Sequence, residues 1–234
     1  MNITELFTSI ALGDIGNLSL VDKVNSTIKV VDKPKVLMYI NEGLMRLYST
    51  LNLKEKDFLI EMVEHITFYH LLTRFSESGH IDGSDDVPYI KDLEREPFKE
   101  DIIKILKVYS EGGYELPFNN LDYSDSVFSP EKTILQIPRP SAGKVVCVVY
   151  QASHPKFTLD NLELKLELPE VLHEALYSYV AFKCFSYIGS SDSLSRSVLA
   201  YNRYEYLINQ VKSLGIVTSN LSASKVKFIT RGFV

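Results

Sequence analysis

The sequence predicts an α+β protein: a small helical bundle, formed by N-terminal helices and a C-terminal helical hairpin, with an inserted antiparallel β module. Three observations predict it. Residues 167–215 read as two long helices joined by a short polar turn, residues 34–51 repeat apolar side chains every three or four positions, and from Asp57 the apolar period changes to two. The chain accordingly divides into N-terminal helices at 1–56, a β module at 57–167 with an acidic loop at 76–98, the hairpin at 168–215 and an extended arm at 216–234.

In chain order, the first segment places Ile3, Leu6, Phe7 and Ile10 on one helical face. Asn2 is the capping residue with Glu5 three positions later, and the helix stops at Gly13 or Gly16. A polar link runs through Val30. Pro34 then opens a second helix, in which Val36, Leu37, Ile40, Leu44, Leu47, Tyr48 and Leu51 form the apolar stripe.

In the β module, Phe58, Ile60 and Met62 alternate with Leu59, Glu61 and Val63, and apolar runs follow at 102–109, 134–137 and 145–150. Gly112 and Gly113 mark a hairpin turn, and Ser141, Gly143 and Lys144 mark another. LELKLEL, residues 162–168, alternates like a strand. The stretch from Ser76 to Phe98 is acidic and broken by Gly79, Gly83, Pro88 and Pro97, which predicts an exposed loop or short arm.

The hairpin opens at Pro169 and closes its two helices at Gly189 and Gly215. Val171, Leu172, Ala175, Leu176, Tyr179 and Val180 make one stripe, while Ala181, Phe182, Cys184 and Phe185 carry apolar character around the far side. A helix apolar nearly all round must be buried. The sequence leaves two covers open, the chain's own β module and neighbouring copies of the same subunit.

Composition narrows the function classes. With 234 residues, 45% hydrophobic and 24% charged, the chain is an ordinary globular protein. Glu5 and Asp14 stand where a signal peptide would be basic, and no apolar run reaches the roughly 18 residues of a membrane span. A soluble protein made in a cytoplasm is expected. Cys147 and Cys184 lack CxxC spacing and read as buried reduced thiols. The net charge of −5 argues against a broad phosphate-binding surface.

No constellation of catalytic residues emerges. His65, His70, His80, His154 and His173 fall on different elements, in no metal-binding spacing, and His173 reads as a satisfied core or interface histidine. HIDGSDD lacks the alternating oxygen ligands and closing glutamate of a calcium loop, and the Ser141 to Lys144 turn lacks the leading glycine and helix of a phosphate loop. Glu94, Glu96, Glu100 and Asp101 are close in sequence, but without tryptophan there is little platform for a sugar. No catalytic, cofactor-binding or metal-binding residue is assigned, and no cofactor is expected. The C-terminal Lys225, Lys227 and Arg231, interleaved with Phe228 and Phe233, form a candidate docking arm, for nucleic acid or for strand addition to a partner's sheet.

Taken in order, INEGLMRLYSTLNLKEK, PFKEDIIKILKVYSEGGYELPFNN, TILQIPRP, LELPEVLHEALYSYVAFKCFSYIG and FITRGFV resemble the head-to-tail adaptor proteins of short-tailed bacteriophages, with crAss-like phages as a candidate source. The resemblance covers most of the chain. It implies a non-enzymatic virion protein of the neck, assembled in the host cytoplasm: a homo-dodecameric ring that docks on the portal protein and meets other tail or neck ring proteins. It also implies passage of double-stranded DNA through the channel without tight binding, and no membrane. The arm would reach the portal or a neighbouring subunit, and packing between subunits would explain the all-round apolar hairpin. Two other classes stay open: a β-sandwich ligand-binding or hydrolytic domain using the acidic loop and His80, and a nucleic-acid-binding factor using the basic arm.

Overall fold

A computed structural model describes the chain except residues 82, 84, 162, 163 and 216–234. The elements are α1 (Ile3–Leu12), β1 (Val21–Asp22), β2 (Thr27–Ile28), α2 (Lys33–Thr50), β3 (Glu55–Glu61), β4 (Phe68–His70), β5 (Ile90–Lys91), β6 (Ile102–Ser110), β7 (Phe128–Glu131), β8 (Ile134–Gln136), β9 (Val145–Ala152), α3 (His173–Ile188) and α4 (Ser191–Ser213). The mixture of helices and antiparallel sheets is α+β. It divides into two compact units, a helical one from Met1–Leu53 with residues 154–215, and a β unit at Lys54–Ser153.

In the helical unit, α1 begins at a complete capping box: Asn2 Oδ1 accepts from the Glu5 N–H at 2.9 Å, and the Glu5 carboxylate accepts from the Asn2 N–H at 2.9 Å. The link that follows is not merely polar. It folds into a two-stranded ribbon, β1 with β2, in which Val21 and Ile28 are buried and the Asp22 carboxylate accepts from the Val24 and Asn25 N–H groups of the turn. All seven residues of the expected α2 stripe are buried. Gly43 lets α2 approach α3 closely, because a Cβ there would lie 2.8 Å from Leu176 Cδ1 and 2.9 Å from Tyr179 Cδ1.

A 3-10 turn, Glu170–Leu172, leads into α3, and Pro169 stands just before that turn. Gly189 closes α3 in the left-handed region at φ 72°, and Ser190 caps α4 by accepting from the Ser193 N–H. Ser186 with Ser197, Phe182 with Tyr201 and Tyr179 with Tyr204 step up one helix and down the other, which makes the pair antiparallel. Gly215 is left-handed as well, at φ 64°.

The burial of α3 corrects the expectation attached to its all-round apolar surface. Ala175, Leu176, Tyr179, Val180, Ala181, Cys184 and Phe185 are buried within the single chain, and α2 and α4 pack against this helix. Neighbouring copies are not needed to cover it. LELKLEL also differs: residues 164–168 form no strand, only an isolated bridge from Lys165 to Asn2, while Leu166 and Leu168 are buried. Alternation needs a neighbouring strand to become a ladder, and here the backbone meets the start of α1 instead.

The β unit holds two antiparallel sheets, ordered β5-β3-β9-β6 and β4-β8-β7. β9 pairs with β3 from Glu55↔Gln151 to Glu61↔Val145 and with β6 across two register shifts. The sheets share one core, containing Phe58, Ile60, Val108 and Val148 from the first and Tyr69 and Leu135 from the second. The opposite face of the four-stranded sheet carries a second small cluster of Tyr109, Cys147 and Val149, so β9 reads as an uninterrupted apolar run because it is buried on both faces. The Gly112–Gly113 turn is tight, with Gly113 at φ 76° and the Ser110 N–H donating to Tyr114 O at 2.8 Å. The Ser141 to Lys144 turn is not a hairpin turn; it connects β8 in one sheet with β9 in the other.

Candidate functional site

The described part of the acidic loop is tied into the β unit. Ser76, Tyr89 and Ile90 are buried, and the segment supplies β5, which pairs with Leu59 and Ile60 of β3. Asp92 within it, and Glu100 and Thr73 just outside it, hold the segment in place. Asp92 accepts from the Ser78 N–H at 3.0 Å, the Ser78 hydroxyl and the Phe98 N–H at 2.8 Å; Glu100 accepts from the Thr73 N–H at 2.6 Å and its hydroxyl at 2.8 Å.

Neighbouring charges are paired in the same structural way. Lys91 bridges Glu61 at 3.0 Å and Glu77 at 2.8 Å, while Asp101 accepts from Lys56 at 2.5 Å and from the Tyr150 hydroxyl at 2.9 Å. Clefts of about 430 and 420 Å³ lie beside the loop, lined by Asp57, Asp92 and Glu96 among others, and neither includes His80. Among the described residues no group of three or more His, Cys, Asp or Glu side chains could hold a metal ion. His173 Nε2 lies 3.1 Å from the Leu168 carbonyl oxygen. His154 is buried, with Nδ1 at 2.5 Å from the Pro155 carbonyl and Nε2 accepting from the Glu167 N–H at 3.0 Å, which fixes the neutral ring with its proton on Nδ1.

The predicted arm residues Lys225, Lys227, Phe228, Arg231 and Phe233 lie outside the described residues. The surface that stands out instead belongs to α4. One stripe of this helix, Ser193, Ser197, Ala200, Tyr204, Ile208 and Val211, faces inward. Beside that stripe Leu194 and Val198 are 48% and 59% exposed; on the face turned away from it Leu199 and Tyr206 are 68% and 66% exposed. At 3.6 residues per turn these are two separate apolar rows on one helix. A groove of about 240 Å³ beside Leu199 is lined by Phe185, Ala200, Asp14, Arg196 and Arg203.

On another part of α4 the helices are locked together. Arg46 of α2 lies over the rings of Tyr201, Tyr204 and Tyr179, with its guanidinium carbon 5.4, 5.8 and 6.0 Å from their centroids, and makes an ion pair with Glu205 at 3.7 Å. Lys183 pairs with Glu42 at 2.7 Å, and Arg203 joins Glu174 and, at 3.4 Å, Asp14. Burial pushes the Cys184 thiol up to about 12, so it is a protonated packing group and no nucleophile at neutral pH.

Sequence reasoning passed over both rows of α4 and the Arg46 cluster. The available signal was an excess: α4 carries more apolar residues than one buried stripe can use.

A protein-family model described as SU10 adaptor protein matches residues 1–223. No curated protein matches the chain. No helix among the described residues is long and apolar enough to cross a membrane.

Proposed function

The chain belongs to the SU10 adaptor protein family and is a structural adaptor of the phage virion, and we propose that it works as one subunit of a closed ring joining the portal to the tail. The observation that carries the reading is the pair of exposed apolar rows on α4, Leu194 with Val198 and Leu199 with Tyr206. A ring built by rotation needs two different, complementary faces on each subunit. Two rows about 110° apart around one helix, one beside its buried stripe and one on its outer face, supply them. Twelve copies would close the ring around a channel for double-stranded DNA, and the excess of 30 acidic over 25 basic residues suits a channel wall that does not retard its passage. Other tail or neck proteins would meet the ring on its tailward side, and the basic segment around Lys225, Lys227 and Arg231 would dock on the portal or on a neighbouring subunit.

Single substitutions test the two-faced contact. Val198→Asp and Leu199→Asp each change an exposed position, so each variant should fold with wild-type stability and fail to form rings. Mixed one to one, they keep one intact face each and should form pairs and stop there. Rings formed by either variant alone would overturn the assignment of these faces.

A further inference from the structure

One end of the β unit carries a cleft of about 520 Å³ with an apolar floor of Met62, Leu116, Val127, Ile137 and Val146. One wall is made by the turn at 110–114 and the loop at 119–126, which expose Tyr114, Leu121 and Tyr123. The loop is held internally: the Ser126 hydroxyl donates to Pro117 O at 3.1 Å, the Asn120 N–H donates to Ser126 Oγ at 3.2 Å, and the Asp122 N–H donates to Asn120 Oδ1 at 3.0 Å. Exposed apolar groups on a braced loop beside an apolar floor mark a surface made to be covered.

Charge indicates what covers it. Between Lys107 and Lys132 the sequence has five acidic residues, Glu111, Glu115, Asp122, Asp125 and Glu131, and no basic one. Glu111 and Asp125 line the cleft, as do Arg139 and Lys144. Residues 216–234 have the opposite character, with Lys225, Lys227 and Arg231 and no acid. Val226 and Phe228 alternate with the lysines, so an extended segment would turn apolar groups to one side and charges to the other. Nineteen residues can reach about 60 Å when extended, enough to leave their own subunit.

We infer that residues 225–233 of one copy occupy this cleft in the neighbouring copy, with Phe228 on the apolar floor and the lysines against Glu111 and Asp125. The inference rests on the ring reading and adds a second contact, independent of α4, in which each subunit gives a segment to one neighbour and receives one from the other.

Full-length Ser124→Cys and Ser224→Cys chains, mixed and oxidised, test it, since Cys147 and Cys184 are both buried. In material of ring size, free or on portal-bearing capsids, a disulfide should shift the 26.6 kDa band to twice that mass on a non-reducing gel. Either variant alone should not shift. Rings without the crosslink, or a crosslink only when Ser224→Cys is mixed with Ser213→Cys on the helical unit, would overturn the cleft assignment and leave the ring standing. Absence of ring-sized material would overturn both. A crosslink confined to free monomer, within one chain carrying both substitutions, would place the segment in its own subunit and refute the exchange.

Discussion

Arg46 donates to the hydroxyl of Tyr201 at 2.7 Å, tying the middle of α2 to α4 while its guanidinium covers the rings of Tyr179 and Tyr204. One planar cation thereby connects three helices. Arg46→Ala should lower the unfolding free energy by about 1–2 kcal/mol, the sum expected for a half-exposed cation over aromatic rings and one hydrogen bond. Arg46→Lys should recover less than half of the loss in urea unfolding, because a point charge cannot serve three rings and a hydroxyl together.

Gly43 is needed for closeness, not for backbone freedom. Gly43→Val should cost about 1–3 kcal/mol by forcing Leu176 and Tyr179 away from α2, despite the better helix propensity of the new residue. Thermal unfolding of the variant checks it. An unchanged midpoint would mean that α2 and α3 are not in contact there.

His154 is a structural acceptor. His154→Phe keeps an aromatic ring beside Tyr48 and Phe157 but takes the acceptor from the Glu167 N–H, and should destabilise by about 1–3 kcal/mol. His154→Gln, which retains a side-chain acceptor, should cost less. Equal losses in the two variants would show that packing, and not the hydrogen bond, is what matters.

Alkaline pH should weaken the fold. Burial raises the Cys184 thiol from its ordinary 9.0 to about 12, and burial raises Tyr48, Tyr89, Tyr150 and Tyr204 as well. The folded state therefore holds these protons more tightly than the unfolded chain does, so their contribution is complete below about pH 9 and is lost as pH rises toward the folded values. At pH 10.5 Cys184 alone should remove about 2 kcal/mol. Cys184→Ala should flatten that part of the profile, measured by urea unfolding between pH 8 and 11.

Much of the fold was legible because its signals are local. The α2 stripe from Val36 to Leu51, the capping box at Asn2 and the left-handed glycines 189 and 215 each follow from a few neighbouring residues. Misread features depended on distant partners. β1 and β2 have two residues each, too few for a period, and residues 164–168 of LELKLEL have a clean period but only an isolated bridge beside them. The acidic loop is largely exposed, as its composition indicates, but composition does not show that Asp92 ties it back to Ser78 and Phe98. The candidate site was hidden for a related reason: α3 and α4 are both rich in apolar residues, and only the packing shows that the chain covers α3 and leaves two rows of α4 bare. Gly43 and Arg46, both within a strongly apolar helix, were the overlooked marks of close packing.

Ring closure on a portal is most directly tested by co-sedimenting the purified protein with portal-bearing capsids and determining the copies bound per capsid. A fixed complement of subunits, near twelve, that is lost with Val198→Asp or Leu199→Asp is the predicted result. A protein that stays monomeric by light scattering and leaves those capsids bare would contradict the ring.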